Sequence, residues 1–296
     1  MMILKGYLEV ARIDNWIGWI FCFGFGSVFL GLPPPERIAV LFFAFSFATA
    51  GIFILNQYFD KEEDRENTAK SGLPVASGRM APRTALILSL SLMVSCLFLV
   101  FLVNARLMSL FLVYLALWTA YSAPPFRLKA VPAIDFVVSG IGAGLLPFLI
   151  GLGVSYQQNI DVSLIVVSTV PLMLAHSSGH ILQALGDYEA DRKTGVQTFV
   201  VKYGIKKGIF VAGFLSLINV FLVFIYAAFG LLPSNYFLAF FLPLPLCIPI
   251  VRRYVSTIKN PTAENFVSLQ KAARKYGIVI MVVVGAYVLV GKILGL

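Results

Sequence analysis

Apolar residues in this chain fall in long blocks, and charged residues are held to the short stretches between them. Nine blocks stand out, at 16–32, 37–58, 83–104, 107–122, 133–153, 162–184, 208–230, 236–254 and 274–294. A helix that crosses a bilayer needs about 20 mostly apolar residues, so each block predicts one spanning helix. The fourth is short. The eighth carries Pro243, Pro245 and Pro249, which predicts a kink or break.

The basic residues test that count. Laid on nine alternating spans, Lys5, Arg12, Lys61, Arg65, Lys70, Arg79, Arg83, Arg127 and Lys129 fall on the side of the N-terminus. Arg192, Lys193, Lys202, Lys206, Lys207, Arg252, Arg253, Lys259, Lys271, Arg274 and Lys275 join them. Only Arg37, Arg106 and Lys292 fall on the other side, so twenty of the 23 basic residues share one face. A miscounted helix would scramble this division. Because positive residues stay inside, the N-terminus and the long loops are expected in the cytoplasm of a cell membrane. The predicted fold class is an all-α polytopic membrane protein, a single domain over 1–296 with nine transmembrane helices around a central apolar cavity.

Composition agrees. Hydrophobic residues make up 59% of the chain, charged residues 12%, and mean hydropathy is +0.89, far from the balance of a soluble domain. The net charge of +9 lies in loops and lines no soluble face, so no nucleic-acid partner is expected. Cys22, Cys96 and Cys247 all lie inside apolar blocks and read as free thiols, without disulfide or zinc spacing. The first block runs into Pro33-Pro34-Pro35 and not a small-residue cleavage site, so no cleaved leader is expected.

Two polar clusters interrupt this pattern where a block meets a basic loop. Asn56-Gln-Tyr-Phe-Asp60-Lys-Glu-Glu-Asp64-Arg65 closes the second block, and Asp187-Tyr-Glu189-Ala-Asp191-Arg192 follows the sixth. Residues four apart share a helix face, which predicts a stripe of Asn56, Asp60 and Asp64 and another of Asp187 and Asp191. Two such copies on one membrane side read as a paired site for a hard cation. The motif loops run over 56–82 and 185–207, with a stiff basic turn at 122–132. Four carboxylates facing one cavity repel one another unless a cation lies between them. Mg²⁺, which takes oxygen ligands and is often shared with substrate phosphates, suits them. Nearby Arg and Lys would then meet a leaving diphosphate.

The pattern Asn-x-x-x-Asp-x-x-x-Asp with a Pro-x-x-Ser-Gly-Arg turn, then Asp-x-x-x-Asp-Arg-Lys-x-Gly, resembles the UbiA family of intramembrane prenyltransferases. The matching residues are Asn56, Asp60, Asp64, Pro74, Ser77, Gly78, Arg79, Asp187, Asp191, Arg192, Lys193 and Gly195. Gly195 to Gly204 is also similar to the family's segment after its second motif. Leu73 stands where the family often has a basic residue, with Lys70 nearby. Tyr121 is followed by Arg127 and Lys129 at a longer spacing than usual.

The resemblance implies Mg²⁺-dependent transfer of a prenyl group from an isoprenyl diphosphate to a lipophilic acceptor within the bilayer. That acceptor would be an aromatic quinone precursor, an ether-lipid glycerol phosphate or a tetrapyrrole. It implies that Asp60, Asp64, Asp187 and Asp191 hold the metal, that Asn56 supports them, and that Lys61, Arg79, Arg127 and Lys129 meet the diphosphate. A cation transporter would use the same carboxylates but place them near the midplane, and here they sit at helix ends. A lipid-diphosphate hydrolase would need water inside, against the apolar walls. His176 and His180, on the helix that leads into Asp187, read as acceptor contacts or internal hydrogen-bonding groups ahead of metal ligands.

Overall fold

A computed structural model describes residues 6, 8–155, 162–231, 241 and 244–294, and among these the regular structure is helical throughout. Six helical stretches are long and apolar enough to cross a membrane by length and composition, and Ile17–Phe29 is a shorter apolar helix.

Helix α1 (Ile17–Val28) is followed by α2 (Pro35–Phe59). Pro35 opens α2 at a position whose N–H would have no partner in any case. A short α3 (Lys61–Glu66) continues from α2. The 41-residue stretch Pro82–Ser122 is two helices, α4 (Pro82–Asn104) and α5 (Met108–Ser122). They part at Asn104, whose backbone is extended and whose side chain accepts from the N–H of Arg106 at 3.1 Å. The fifth apolar block forms α6 (Ile134–Gly140), a π-helical turn (Ile141–Leu145) and α7 (Leu146–Leu152). Then come α8 (Val162–Thr194), α9 (Phe199–Tyr203), α10 (Ile205–Ala228), α11 (Cys247–Lys259) and α12 (Ala263–Leu294).

The helices outrun their apolar blocks in two places. α8 continues through Thr194, so the second acidic cluster stands on helix where the sequence predicts the start of a loop. Its 33 residues span ~50 Å, against a hydrocarbon core of about 30 Å, so its last turns project beyond the apolar layer. α12 likewise begins eleven residues before the apolar block. The predicted span at 236–254 falls partly on residues outside those described. Its end, Cys247–Lys259, is helical after a 3₁₀ turn at Leu244–Leu246 that includes Pro245.

Small residues let the helices approach. A Cβ on Gly26 would strike the carbonyl of Phe148, and one on Gly151 the carbonyl of Phe23, a reciprocal contact that locks α1 to α7. Gly140, Gly142 and Gly144 are close-packed in the same way, against Ser177 and Met173, the Trp118 ring and the Leu172 backbone. Buried polar atoms bond across helices: Ser89 Oγ donates to Gly51 O at 2.7 Å, and Ser178 Oγ donates to Ala212 O at 2.9 Å. The outward faces are apolar at helical spacing. Ile87, Leu90, Val94, Phe98 and Phe101 of α4 and Phe210, Phe214, Leu217, Phe221 and Ile225 of α10 are all exposed. Such stripes are costly in water and are what a lipid-facing helix presents.

The two ends of the bundle differ. At one, Arg37 donates to the carbonyl of Val154 at 3.2 Å. At the other lie both acidic clusters, the 122–132 turn and the N-terminal segment, where Trp16 Nε1 donates to Ala11 O at 2.9 Å and Glu9 pairs with Arg79.

Candidate active site

The first cluster is built on a change of helix direction. α2 ends at Phe59, the backbone turns at Asp60 (φ −96°, ψ 9°), and α3 restarts at once. The i−4 bonds run through the break, Asp60 N to Asn56 O at 2.9 Å and Asp64 N to Asp60 O at 2.8 Å. The polar stripe therefore survives. Asn56 Nδ2 donates to Asp60 Oδ2 at 2.6 Å and to Ser122 Oγ at 3.3 Å, tying the first motif to α5. Asp60 is 6% exposed. Its Oδ1 pairs with Lys129 and lies 3.6 Å from Arg127 Nη2, yet accepts no well-directed hydrogen bond. Arg127 also pairs with Glu63, from a left-handed backbone at φ 39° that its ion pairs hold in place.

The second cluster comes from the projecting turns of α8. Asp187 Oδ1 accepts from Asn67 Nδ2 at 2.6 Å, and its Oδ2 pairs with Lys70 Nζ at 2.7 Å. Both partners belong to the loop after the first motif, and Glu66 of α3 pairs with Lys193 of α8. The two motifs are thus joined, each resting on basic groups from another element. The first aspartate of each, Asp60 and Asp187, is held by a lysine. The second is not: Asp64 is buried with Oδ2 lacking any partner, and Asp191 has no side-chain hydrogen bond or ion pair among the described residues.

Burial chiefly raises the Asp64 carboxyl, and Asp60 adds to it, against Lys70, Arg12 and Lys129, to reach about 6 from 3.8. At Glu63 burial acts in the same sense but loses to its own backbone hydrogen bond, Lys129 and Arg127, so that carboxyl lies below its usual value. Burial would lower Lys70, and the charges of Asp187 and Asp64 reverse it, leaving the ammonium above its ordinary range.

A buried carboxylate oxygen with no donor is costly, and a bound cation would offset that cost. The donor set of Asp60, Asp64, Asp187 and Asp191 is all oxygen, as Mg²⁺ prefers. Among the described residues no three acidic, His or Cys side chains converge on one point, and Lys70 and Lys129 sit on Asp187 and Asp60. An open cleft of about 360 Å³ lies beside the cluster, lined by Glu66, Glu189, Ala190, Arg192 and Lys193.

The remaining predicted residues divide. Lys129 and Arg127 sit on the acidic cluster, whereas Lys61 lies 5.5 Å from the ring centroid of Tyr58. Arg79 is turned to Glu9, with bonds of 2.9 and 2.6 Å, and does not reach the aspartates. The Pro74–Arg79 turn is closed by Met80 N to Pro74 O at 2.8 Å, and Gly78 at φ 77° fits a conformation that L side chains avoid. Sequence reasoning missed Asn67, Glu63, Ser122 and Asp135. Asp135, 1% exposed, accepts from Phe199 N at 2.8 Å and anchors the segment after the second motif. Glu63, inside the first acidic stretch, and Asn67, three residues after Asp64, had a positional signal. The others lie on elements whose meeting no local pattern reveals.

Within the bundle an aromatic arc adjoins the cluster. Trp19 stacks on Trp118 at 4.6 Å, and Trp118 meets Tyr121 edge-on at 5.0 Å. Tyr121 OH lies 3.3 Å from His180 Nε2, and His176 Nε2 lies 3.5 Å from Cys22 Sγ.

The family model described as UbiA prenyltransferase family matches residues 17–290. A 2-acylphloroglucinol 4-prenyltransferase of Humulus lupulus is 35% identical over 170 residues, covering 54% of this chain and 39% of that protein, so the match spans well under half of the relative. A digeranylgeranylglyceryl phosphate synthase of Thermococcus gammatolerans is 29% identical, covering 76% of this chain and 78% of the relative. A solved digeranylgeranylglyceryl phosphate synthase superposes with a TM-score of 0.68 at 25% identity, covering 99% of each chain. A UbiA homolog from Archaeoglobus fulgidus, bound to DMAPP and Mg²⁺, superposes with a TM-score of 0.69 at 21% identity, covering 93% of this chain and 98% of that one.

Proposed function

This chain belongs to the UbiA prenyltransferase family, and on that premise we propose that it transfers a prenyl group from an isoprenyl diphosphate to a lipophilic acceptor, with Mg²⁺, at the junction of the two acidic motifs. The observation that carries this is the asymmetry at the cluster: Asp60 and Asp187 are each paired with a lysine, while Asp64 and Asp191 form no ion pair among the described residues. Carboxylates and ammonium groups interleaved in this way are matched to a metal-bound diphosphate, which offers both a cation and anionic oxygens.

Asp60, Asp64, Asp187 and Asp191 would hold Mg²⁺, which when bound supplies positive charge against the diphosphate. Asn56 fixes the rotamer of Asp60 through Ser122. Lys129 and Arg127 are placed to turn from Asp60 to diphosphate oxygens, with Lys70 on the opposite motif and Lys61 and Arg79 farther out. As the C–O bond opens, negative charge gathers on the diphosphate and these donors bind it more tightly, which is the differential binding that speeds ionisation. The aromatic arc of Trp19, Trp118 and Tyr121 lies on the bundle side of the motifs, where its electron-rich rings would favour a developing allylic cation while the apolar helices exclude water. Nine spans, a central apolar cavity and a cytoplasmic site in a cell membrane complete the reading, supported by the division of basic residues. The acceptors of the named relatives, phloroglucinols and glyceryl phosphates, are the first to try.

The test is diphosphate release from geranylgeranyl diphosphate by the purified protein, with and without Mg²⁺ and with phenolic, glyceryl phosphate and tetrapyrrole acceptors. Release that needs Mg²⁺, Asp60, Asp191 and one acceptor class supports transfer. Release indifferent to every acceptor indicates the hydrolase, and no release removes the proposal.

A further inference from the structure

We infer that His180 is the acceptor-side base of this site, and that the acceptor carries a hydroxyl group whose proton it removes. The inference rests on the prenyl-transfer reading above. His180 is two helical turns before Asp187 on the same face of α8, which puts it ~10 Å deeper in the bundle. Its Nε2 lies 3.3 Å from Tyr121 OH, and the next residue, Ser122, accepts from the Asn56 that holds Asp60. One continuous set of contacts therefore links the imidazole to the first acidic motif.

His180 is only half-buried although its ring meets Tyr121 of the neighbouring helix edge-on at 6.0 Å. His176 is different. It is taken up by Cys22 at 3.5 Å and packs on Gly18, where a Cβ would lie 2.9 Å from its ring. Of the two histidines, His180 has the free edge. If Nε2–H donates to the Tyr121 oxygen, Nδ1, which has no partner among the described residues, keeps its lone pair for a proton.

The chemistry requires such a group. The C1–O bond of the isoprenyl diphosphate breaks and its electron pair leaves with the diphosphate. An acceptor electron pair, from a hydroxyl oxygen or from a ring carbon made electron-rich by that hydroxyl, forms the new bond to C1. The cationic adduct then loses one proton to His180 Nδ1, giving a neutral product and imidazolium. An oxonium or ring-protonated adduct is a strong acid, so even a weakly basic imidazole suffices.

The test uses the full chain in lipid nanodiscs with geranylgeranyl diphosphate carrying ¹⁸O at the C1–O bridge. Positional exchange of that oxygen with Mg²⁺ reads ionisation without any acceptor. Transfer is read with homogentisate and with geranylgeranylglyceryl phosphate. His180→Gln is expected to lower kcat for transfer about a hundredfold, with exchange and the acceptor KM within about threefold of wild type. Tyr121→Phe, which removes the partner of Nε2 and keeps the ring, should lower transfer about tenfold. Transfer reduced less than tenfold in His180→Gln would assign deprotonation to the diphosphate and overturn the inference. A parallel loss of exchange and transfer would overturn it too, by showing a structural role. Wild-type exchange without transfer to either hydroxyl acceptor removes His180 as base while leaving the transferase reading intact. No exchange in the wild type removes both.

Discussion

Lys70 Nζ lies 2.7 Å from Asp187 Oδ2, joining groups 117 residues apart. The side chains are 26% and 22% exposed, so the pair itself is worth only about 1 kcal/mol in stability. Its larger consequence is for ligands, because Lys70 occupies the oxygen that a cation would take. Lys70→Ala is expected to bind Mn²⁺ alone about fivefold more tightly and geranylgeranyl diphosphate with Mn²⁺ about tenfold more weakly, as loss of one adjacent charge implies. Mn²⁺ titration by electron paramagnetic resonance, with and without the diphosphate, reads both signs. Weaker Mn²⁺ binding in both cases would mean that Lys70 acts only as a scaffold.

Asp64 gives the site a pH dependence. Its carboxyl is raised by burial to about 6 from 3.8, so between these values the folded, metal-free protein binds a proton that the unfolded chain has released. Stability from this group is therefore present at pH 4, falls as pH rises to 6, and stays lower above it, by up to ~3 kcal/mol. Asp64→Asn removes that loss. Metal-free Asp64→Asn protein should melt several degrees higher than wild type at pH 7.5 and close to it at pH 4.5, measured by thermal denaturation in detergent. Metal binding has the opposite trend, since the ion displaces the proton: Mn²⁺ affinity in the wild type should fall as pH drops through 6.

The six long apolar helical stretches were legible because blocks of that length are what a bilayer calls for, and the helix ends near Pro35, Pro82 and Asn104 follow from ring and cap chemistry visible locally. The stripe Asn56, Asp60, Asp64 was legible from spacing alone. What spacing could not supply is which loop meets which. Asn67 and Lys70 reach Asp187, Glu63 meets Arg127, and Asp135 caps onto Phe199 only through tertiary packing. The extension of α8 through Thr194 was hidden for another reason, since its last turns are polar and read as loop to a hydropathy criterion.

Arg79 shows how geometry ranks residues that sequence groups together. Its guanidinium is engaged with Glu9 at 2.6 Å, while Lys129 lies on Asp60. Lys129→Ala should raise the KM for the isoprenyl diphosphate at least tenfold, as loss of a charge-assisted contact does. Arg79→Ala should change it less than threefold. Steady-state kinetics at saturating acceptor decide. An equal effect of the two would mean that Arg79 leaves Glu9 when substrate binds.

The contact of Gly26 with Phe148 and of Gly151 with Phe23 fixes how close α1 and α7 come. Each glycine would place a Cβ against main-chain atoms of the other helix, which cannot move aside as a side-chain tip can. A methyl group at either position must push the helices apart, and overpacking of this kind costs about 1–3 kcal/mol. α1 also carries Trp19, which stacks on Trp118 at 4.6 Å in the aromatic arc, so the displacement reaches the site. Gly151→Ala is therefore expected to lower both the melting temperature and transfer, whereas Gly179→Ala, with no heavy atom within 4 Å of the new Cβ, should leave the melting temperature unchanged. Comparing the two by thermal denaturation in one detergent separates close packing from the general effect of adding a methyl group. Equal melting of Gly151→Ala and wild type would show that α1 and α7 tolerate separation.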